Sequence, residues 1–272
     1  DITSVTFDNV ILNRDTDYTV TASFKDAGVG NGKNITATVT LMDQAAKNYF
    51  LEQSSIRTTG SITAKEVTVT ITPNGGTYGS VTAATATLSG VVDGETVPVT
   101  LTYTGNGYNS TNVPTDVDSY KVTASIADNN YILTGKTIAN FVITPKAVTV
   151  SGITAKDKAY DGNTAAELVF SNAKFDGILE NDTLTVTAKG VFVKTEAGKR
   201  NVAISDLTLG GKSAANYVLA TDGQQTTTTA TITKKQITVT ITSNGGIYGE
   251  TITPATVKAN DVVGEDTPTI TL

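Results

Sequence analysis

The chain has 272 residues, 20 Lys and Arg against 26 Asp and Glu for a formal net charge of −6, and neither Cys nor His. That excludes disulfides, Cys-ligated metals and every catalytic arrangement built on imidazole. The acidic balance and scattered lysines speak against nucleic-acid binding, and no apolar run reaches the roughly 18 to 20 residues of a membrane-spanning helix.

Threonine makes up about one residue in five. Together with Val and Ile it favours strands, because β-branched side chains fit a pleated surface. In chain order, residues 43–49 read as a short helical turn. The stretches VTVTIT (67–72), VPVTLTY (97–103), YKVTASI (120–126) and LTVTA (184–188) then alternate apolar with polar residues, as half-buried strands do. A second helical turn is predicted at 212–217 and a last alternating strand, ITVTIT, at 237–242. Gly30-Asn31-Gly32, Asn74-Gly75-Gly76, Asp93-Gly94, Gly105-Asn106-Gly107 and Asp161-Gly162 supply the positive-φ positions of tight turns, and all are read as such. The predicted class is all-β, an elongated tandem array of small antiparallel sandwich or grasp-like modules.

The repeats set the module size. KEVTVTITPNGGTYG (65–79) returns as KQITVTITSNGGIYG (235–249), and an Asn-Tyr-x-Leu core stands at Asn48, Asn130 and Asn216. Each core is followed by an Ile-Thr-x-Lys junction, and the junction isoleucines Ile62, Ile143 and Ile232 lie 81 and 89 residues apart. Self-similarity at such a spacing marks a repeated structural unit. The expected divisions are 1–64, an incomplete module of one type; 65–145, a complete module of the other; 146–234, a complete module of the first type; and 235–272, an incomplete module of the second. Aligned on 65–101, the last segment lacks counterparts of the strands near 120–126 and 140–144. An open strand edge is therefore expected there, which either leaves 235–272 poorly packed or recruits strands of another copy.

The openings that close on Tyr78-Gly79 and Tyr248-Gly249 resemble MBG modules of the YGX type. The segment with KAYDGNTAA (158–166), centred on Tyr160, Asp161 and Gly162, resembles a YDG module. The resemblance implies a tandem array in a bacterial surface or adhesin-like protein, outside the cell, with no catalytic residues and no cofactor. Its partners would be neighbouring modules, copies of the same protein, or a host glycan or protein.

From the residues themselves, Tyr160-Asp161-Gly162 reads as a turn with the tyrosine packed over it. The acidic pairs Asp15/Asp17, Asp116/Asp118 and Glu180/Asp182 offer hard oxygen ligands to calcium but lack the spacing of a known calcium loop, so solvated surface charge is expected. Junction lysines and the asparagines of the Asn-Tyr pairs are also candidates for Lys-Asn isopeptide bonds. The functional expectation is a non-enzymatic stalk or spacer. The rival reading is a glycan- or protein-binding module using exposed loop tyrosines such as Tyr103 and Tyr108, and a carboxylate-pair glycosidase is the third class.

Overall fold

A computed structural model describes residues 5–243, 245–251 and 254–270; Asp1, Asn244 and Leu272 lie outside the described residues. Among the described residues the regular secondary structure is almost all β-strand, with one short helix, Asp43–Asn48, and one 3-10 turn, Ala214–Asn216, where the two helical turns were expected. It divides into two compact units. The first comprises Asp1–Asn74, Thr82–Pro114 and Ser119–Phe141, and the second Gly75–Val81, Thr115–Asp118 and Val142–Leu272.

In the first unit, Tyr18–Phe24, Gly30–Leu41 and Ser55–Ile62 form an antiparallel sheet with Gly30–Leu41 in the centre. The alternation read at 67–72 is realised in the strand Lys65–Thr72: Val67 and Val69 are 1% and 2% exposed while Thr68 and Thr70 face outward. That strand pairs antiparallel with Thr85–Ser89 and parallel with Tyr131–Gly135, placing Val67 and Tyr131 in one cluster with Val97. Val99–Gly105 pairs with both Tyr108–Ser110 and Asp118–Ile126.

In the second unit, Thr185–Phe192, Gly198–Gly210 and Thr227–Thr233 repeat the three-stranded antiparallel order of the first unit's opening sheet. Lys146–Ser151 runs parallel to Tyr217–Leu219 and antiparallel to Lys174–Asp176. Val150, Ile153, Val186 and Ile204 make one core; Phe192, Val202, Ala230 and Ile232 make a second. Three consecutive threonines, Thr227 to Thr229, open the strand Thr227–Thr233.

Pairing is not wholly antiparallel, as had been expected. Among the described residues four strand pairs are parallel, and they recur in equivalent places: Lys65–Thr72 and Lys146–Ser151 each lie beside an Asn-Tyr-x-Leu strand, with Lys65 opposite Tyr131 and Lys146 opposite Tyr217. The closing strands run parallel to the two-residue strands Gly76–Thr77 and Lys158–Ala159. Parallel neighbours need long crossovers, which the 58 residues between Thr72 and Tyr131 supply for the first of these pairs.

Turn chemistry also differs in places. Gly105-Asn106-Gly107 is a hairpin turn, but Gly30 to Gly32 lie within a strand at a bulge. Asn74-Gly75-Gly76 is not a hairpin. Its asparagine side chain donates to the Ala83 carbonyl at 2.9 Å and Gly76 enters a parallel strand, so the return to Thr85 takes a longer loop.

Of the two loop tyrosines expected to be exposed, Tyr103 is buried and Tyr108 is partly covered. Tyr103 is 2% exposed, packs edge-on against Phe141, and accepts the Ala84 N–H at 2.9 Å; Tyr108 is half-buried against Tyr120 and donates to the Asn112 carbonyl. Replacing Tyr103 by Phe strands a buried N–H and should cost about 1 to 3 kcal/mol. Tyr108→Phe frees a solvent-reachable carbonyl and should cost less than about 0.5 kcal/mol. Urea denaturation of the two variants measures the contrast, and equal losses would contradict it.

Candidate functional site: tyrosine clasps on two carboxylates

The motifs Tyr78-Gly79 and Tyr160-Asp161-Gly162 are built alike. Each tyrosine leaves a two-residue strand and gives its backbone N–H to the threonine of a junction: Tyr78 to the Thr144 carbonyl at 2.8 Å, Tyr160 to the Thr233 carbonyl at 2.9 Å. Each then reaches a carboxylate more than a hundred residues further along the chain. Tyr78 donates its hydroxyl to Asp182 at 3.3 Å, and Tyr160 donates to Asp266 at 2.9 Å. The glycine that follows lies against an apolar side chain of the same distant segment. A Cβ on Gly79 would stand 2.5 Å from Leu179 Cδ1, and one on Gly162 would stand 2.8 Å from Val263 Cγ1. Both glycines also hold positive φ, +82° and +77°, which side-chain-bearing residues rarely adopt.

The Asp182 end is the more elaborate. Besides Tyr78, its carboxylate accepts the Ser213 hydroxyl at 2.9 Å and the Tyr217 hydroxyl, whose oxygen in turn accepts the Leu179 N–H at 2.9 Å. The Tyr78 and Tyr217 rings meet edge to face, their centroids 5.4 Å apart. Next to Tyr217, Asn216 accepts the Val117 N–H at 2.9 Å and donates to Asp116 at 3.0 Å. Asp182 is therefore not the solvated surface charge expected of the Glu180/Asp182 pair, because hydroxyls distant in sequence converge on it. Its carboxyl is held below the usual range by the Tyr217 hydrogen bond first, with Ser213 and Tyr78 adding to it against the opposing effect of burial. Burial, followed by the hydrogen bond to Asp182, pushes the Tyr217 hydroxyl up to about 12 and raises Tyr78 as well.

The Tyr-Asp-Gly loop carries its own brace. Lys158 gives its ammonium to Asp161 Oδ1 at 2.7 Å and to Asn163 O and Oδ1 at 2.8 and 2.9 Å, with the ring of buried Phe192 5.4 Å away. Asp161 also accepts the Asn163 backbone N–H, forming the turn expected there, and the Lys158 ammonium holds its carboxyl low. Tyr160 packs on the Phe192 cluster, and its hydroxyl is raised by the bond to Asp266. Beside it opens a cleft of about 520 Å³ lined by Tyr160, Glu196, Lys235 and Asp261 among others.

Tyr248-Gly249, the third motif, forms the same turn, and among the described residues its tyrosine meets no carboxylate. Gly249 has φ +91°, Glu250 donates to the Ile247 carbonyl at 3.0 Å as Ser80 does to Thr77 at 2.8 Å, and Tyr248 is fully exposed.

Other candidate residues have structural partners. Lys65 meets Asn130 backbone to backbone at 2.8 Å, while the Asn130 side chain accepts the Val29 N–H. Asp17 accepts the Asn13 N–H at 2.7 Å. Among the described residues, no three carboxylates are grouped where they could hold a metal ion. The signal that pointed to the clasps was the repetition of Tyr-Gly; the acceptors Asp182 and Asp266 carried none of their own.

These groups set the pH response of the second unit. The Tyr217 contribution, with its pKa raised from 10 to about 12, is complete below pH 10 and is lost as pH rises through that interval. The Asp182 contribution is present above its ordinary 3.8 and is lost as pH falls below that value. The denaturation midpoint should be flat between about pH 5 and 9 and fall on both sides. Tyr217→Phe should reduce the alkaline fall, with tyrosinate absorbance followed alongside; an unchanged alkaline limb would contradict the assignment.

No curated protein and no solved structure matches the chain. Residues 144–229, which contain the Tyr160-Asp161-Gly162 loop and the Asp182 acceptor, match the YDG domain family.

Proposed function

We propose that the protein is a non-enzymatic repeat segment of a bacterial cell-surface adhesin or filament. In this reading MBG-like modules of the YGX type alternate with YDG modules at 1–64, 65–145, 146–234 and 235–272, and the array is an extracellular stalk or spacer. The observation that carries it is the pair of tyrosine clasps. A motif tyrosine near the start of one module is bonded to a carboxylate of the segment beyond the next junction, 104 residues on for Tyr78 and 106 for Tyr160. A contact of that kind restrains the junction it spans, which is what a spacer requires. The carboxylates that matter are occupied by hydroxyls and an ammonium, an arrangement suited to structure.

A binding module is the second reading, supported by the cleft beside Tyr160, whose rim mixes an aromatic ring with charged groups. A glycan-array screen of the chain and of Tyr160→Ala separates the two. A hit lost in the variant would favour binding.

The clasp reading is tested on the Tyr78 hydroxyl. Tyr78→Phe keeps the ring and removes one donor to Asp182, so it should destabilise the second unit by about 0.5 to 1.5 kcal/mol and speed hydrogen exchange at Asp182 and at Tyr78 itself. Asp182→Asn affects three hydroxyl contacts and should cost more. Unchanged exchange and stability in both variants would sink the reading.

A further inference from the structure

The loop that receives Tyr78-Gly79 is built three times among the described residues. Each copy opens on a left-handed residue, Gly90 at φ 90°, Gly177 at φ 93° and Asp261 at φ 61°. Two positions on stands Val92, Leu179 or Val263, and three further the carboxylate of Glu95, Asp182 or Asp266. The backbone N–H of the carboxylate residue closes each loop on the carbonyl of that apolar residue, at 3.0, 3.2 and 3.1 Å. Leu179 and Val263 lie against the glycines of the two clasps, and Asp182 and Asp266 hold their tyrosines.

The Glu95 copy also has the tyrosine that backs the Asp182 site. Tyr131 accepts the Val92 N–H at 3.2 Å and gives its hydroxyl to Glu95 Oε2, as Tyr217 accepts the Leu179 N–H at 2.9 Å and gives its hydroxyl to Asp182 Oδ2. Both tyrosines are buried. The asparagines before them match too, Asn130 accepting the Val29 N–H and Asn216 the Val117 N–H, each at 2.9 Å. The two sites are therefore in register bond by bond, and Val92, Glu95 and Tyr131 all lie within the first unit. Tyr78 reaches the other oxygen of Asp182, Oδ1. Its counterpart, Glu95 Oε1, accepts no hydrogen bond among the described residues.

We infer that Val92, Glu95 and Tyr131 form a receiving site for a Tyr-Asp-Gly turn, carried by a YDG module other than 146–234, whose own turn is held by Asp266. The inference rests on the clasp reading above. The incoming tyrosine hydroxyl would donate to Glu95 Oε1 as Tyr78 donates to Asp182 Oδ1, and the incoming glycine would lie over Val92. Valine selects the longer motif. In this chain Leu179 lies under Tyr-Gly and Val263 under Tyr-Asp-Gly, so the shorter side chain meets the loop that has one more residue. Lys158, Asp161 and Asn163 brace that loop from within its own short segment, which leaves it little backbone freedom to lose on docking.

NMR of the full chain titrated with the synthetic peptide KAYDGNTA, residues 158–165, reads the result. Val92 is 45% exposed and can be reached from solution. Signals of Val92, Glu95 and Tyr131 should move with a Kd of roughly 1 to 10 mM, the weak end of specific association. Val92→Asp, at an exposed position, should remove the binding. The Tyr160→Phe peptide should bind about fivefold more weakly for the loss of one hydrogen bond, and the Tyr-Gly peptide GGTYGSV, residues 75–81, should bind more weakly as well. The proposal is overturned by the absence of any shift at about 10 mM peptide, by shifts confined to other residues, or by binding that Val92→Asp leaves intact. Equal binding of the Tyr160→Phe peptide, or tighter binding of the Tyr-Gly peptide, would overturn it too. Any of these outcomes leaves the Tyr78 test standing, because that test reads stability in the second unit and this one reads binding to the first.

Discussion

The arrangement of the second unit depends on one carboxylate that, among the described residues, is met by hydroxyls and by no cation. Asp182 takes its hydrogen bonds from three hydroxyls, those of Tyr78, Ser213 and Tyr217. A partly buried charge is costly unless its oxygens are satisfied, so the site holds only when segments far apart in sequence arrive together. Neutral donors have a further consequence. A salt bridge between exposed groups weakens as salt rises, whereas a carboxylate bonded to hydroxyls depends less on screening and changes protonation only at the extremes of pH. With no Cys or His in the chain, the same contact is indifferent to redox conditions.

The glycine beside each clasp tyrosine is as necessary as the hydroxyl. The tyrosine can reach its acceptor only if the backbone after it descends onto the neighbouring surface, and Leu179 Cδ1 already occupies the place where a Cβ on residue 79 would be. The positive φ turns the chain away at once. In the Tyr-Asp-Gly version the inserted aspartate adds a local brace, since Lys158 and Asn163 both bind Asp161. The two motifs share the outgoing contact and differ in how the loop behind it is stiffened.

What was legible in the sequence was local. Four of the five period-two runs became strands with the expected faces inward, the fifth, at 237–242, became a strand with both faces exposed, both helical turns formed where they were read, and Asp161-Gly162 made its turn. Partnerships over distance were not legible. Parallel pairing of Lys65–Thr72 with Tyr131–Gly135 joins residues 66 apart, and nothing in either strand's pattern tells a parallel from an antiparallel neighbour. Asp182 sits in an acidic pair that looks like any solvated turn, and its tyrosines come from 104 and 35 residues away. Tyr103 looked like a loop aromatic because glycines follow it; Phe141 and the Ala84 N–H bury it from other strands.

The two copies of the fifteen-residue repeat separate what is encoded locally from what the rest of a module supplies. In the first copy Val69 is 2% exposed; its counterpart Val239 is 44% exposed, in a two-stranded sheet with Thr256–Asn260. Burial therefore comes from strands outside the repeat. The turn does not: φ at Gly79 and Gly249 differs by a few degrees, and the closing hydrogen bond is the same in both. A turn that keeps its shape where its tyrosine is exposed has already lost the backbone freedom that forming the clasp would otherwise remove, so more of the contact energy remains for the clasp itself. The motif is short because the part of the contact that must be preformed is only the turn, while the groups that receive the first copy, Leu179, Asp182 and Tyr217, are spread along a segment a hundred residues away.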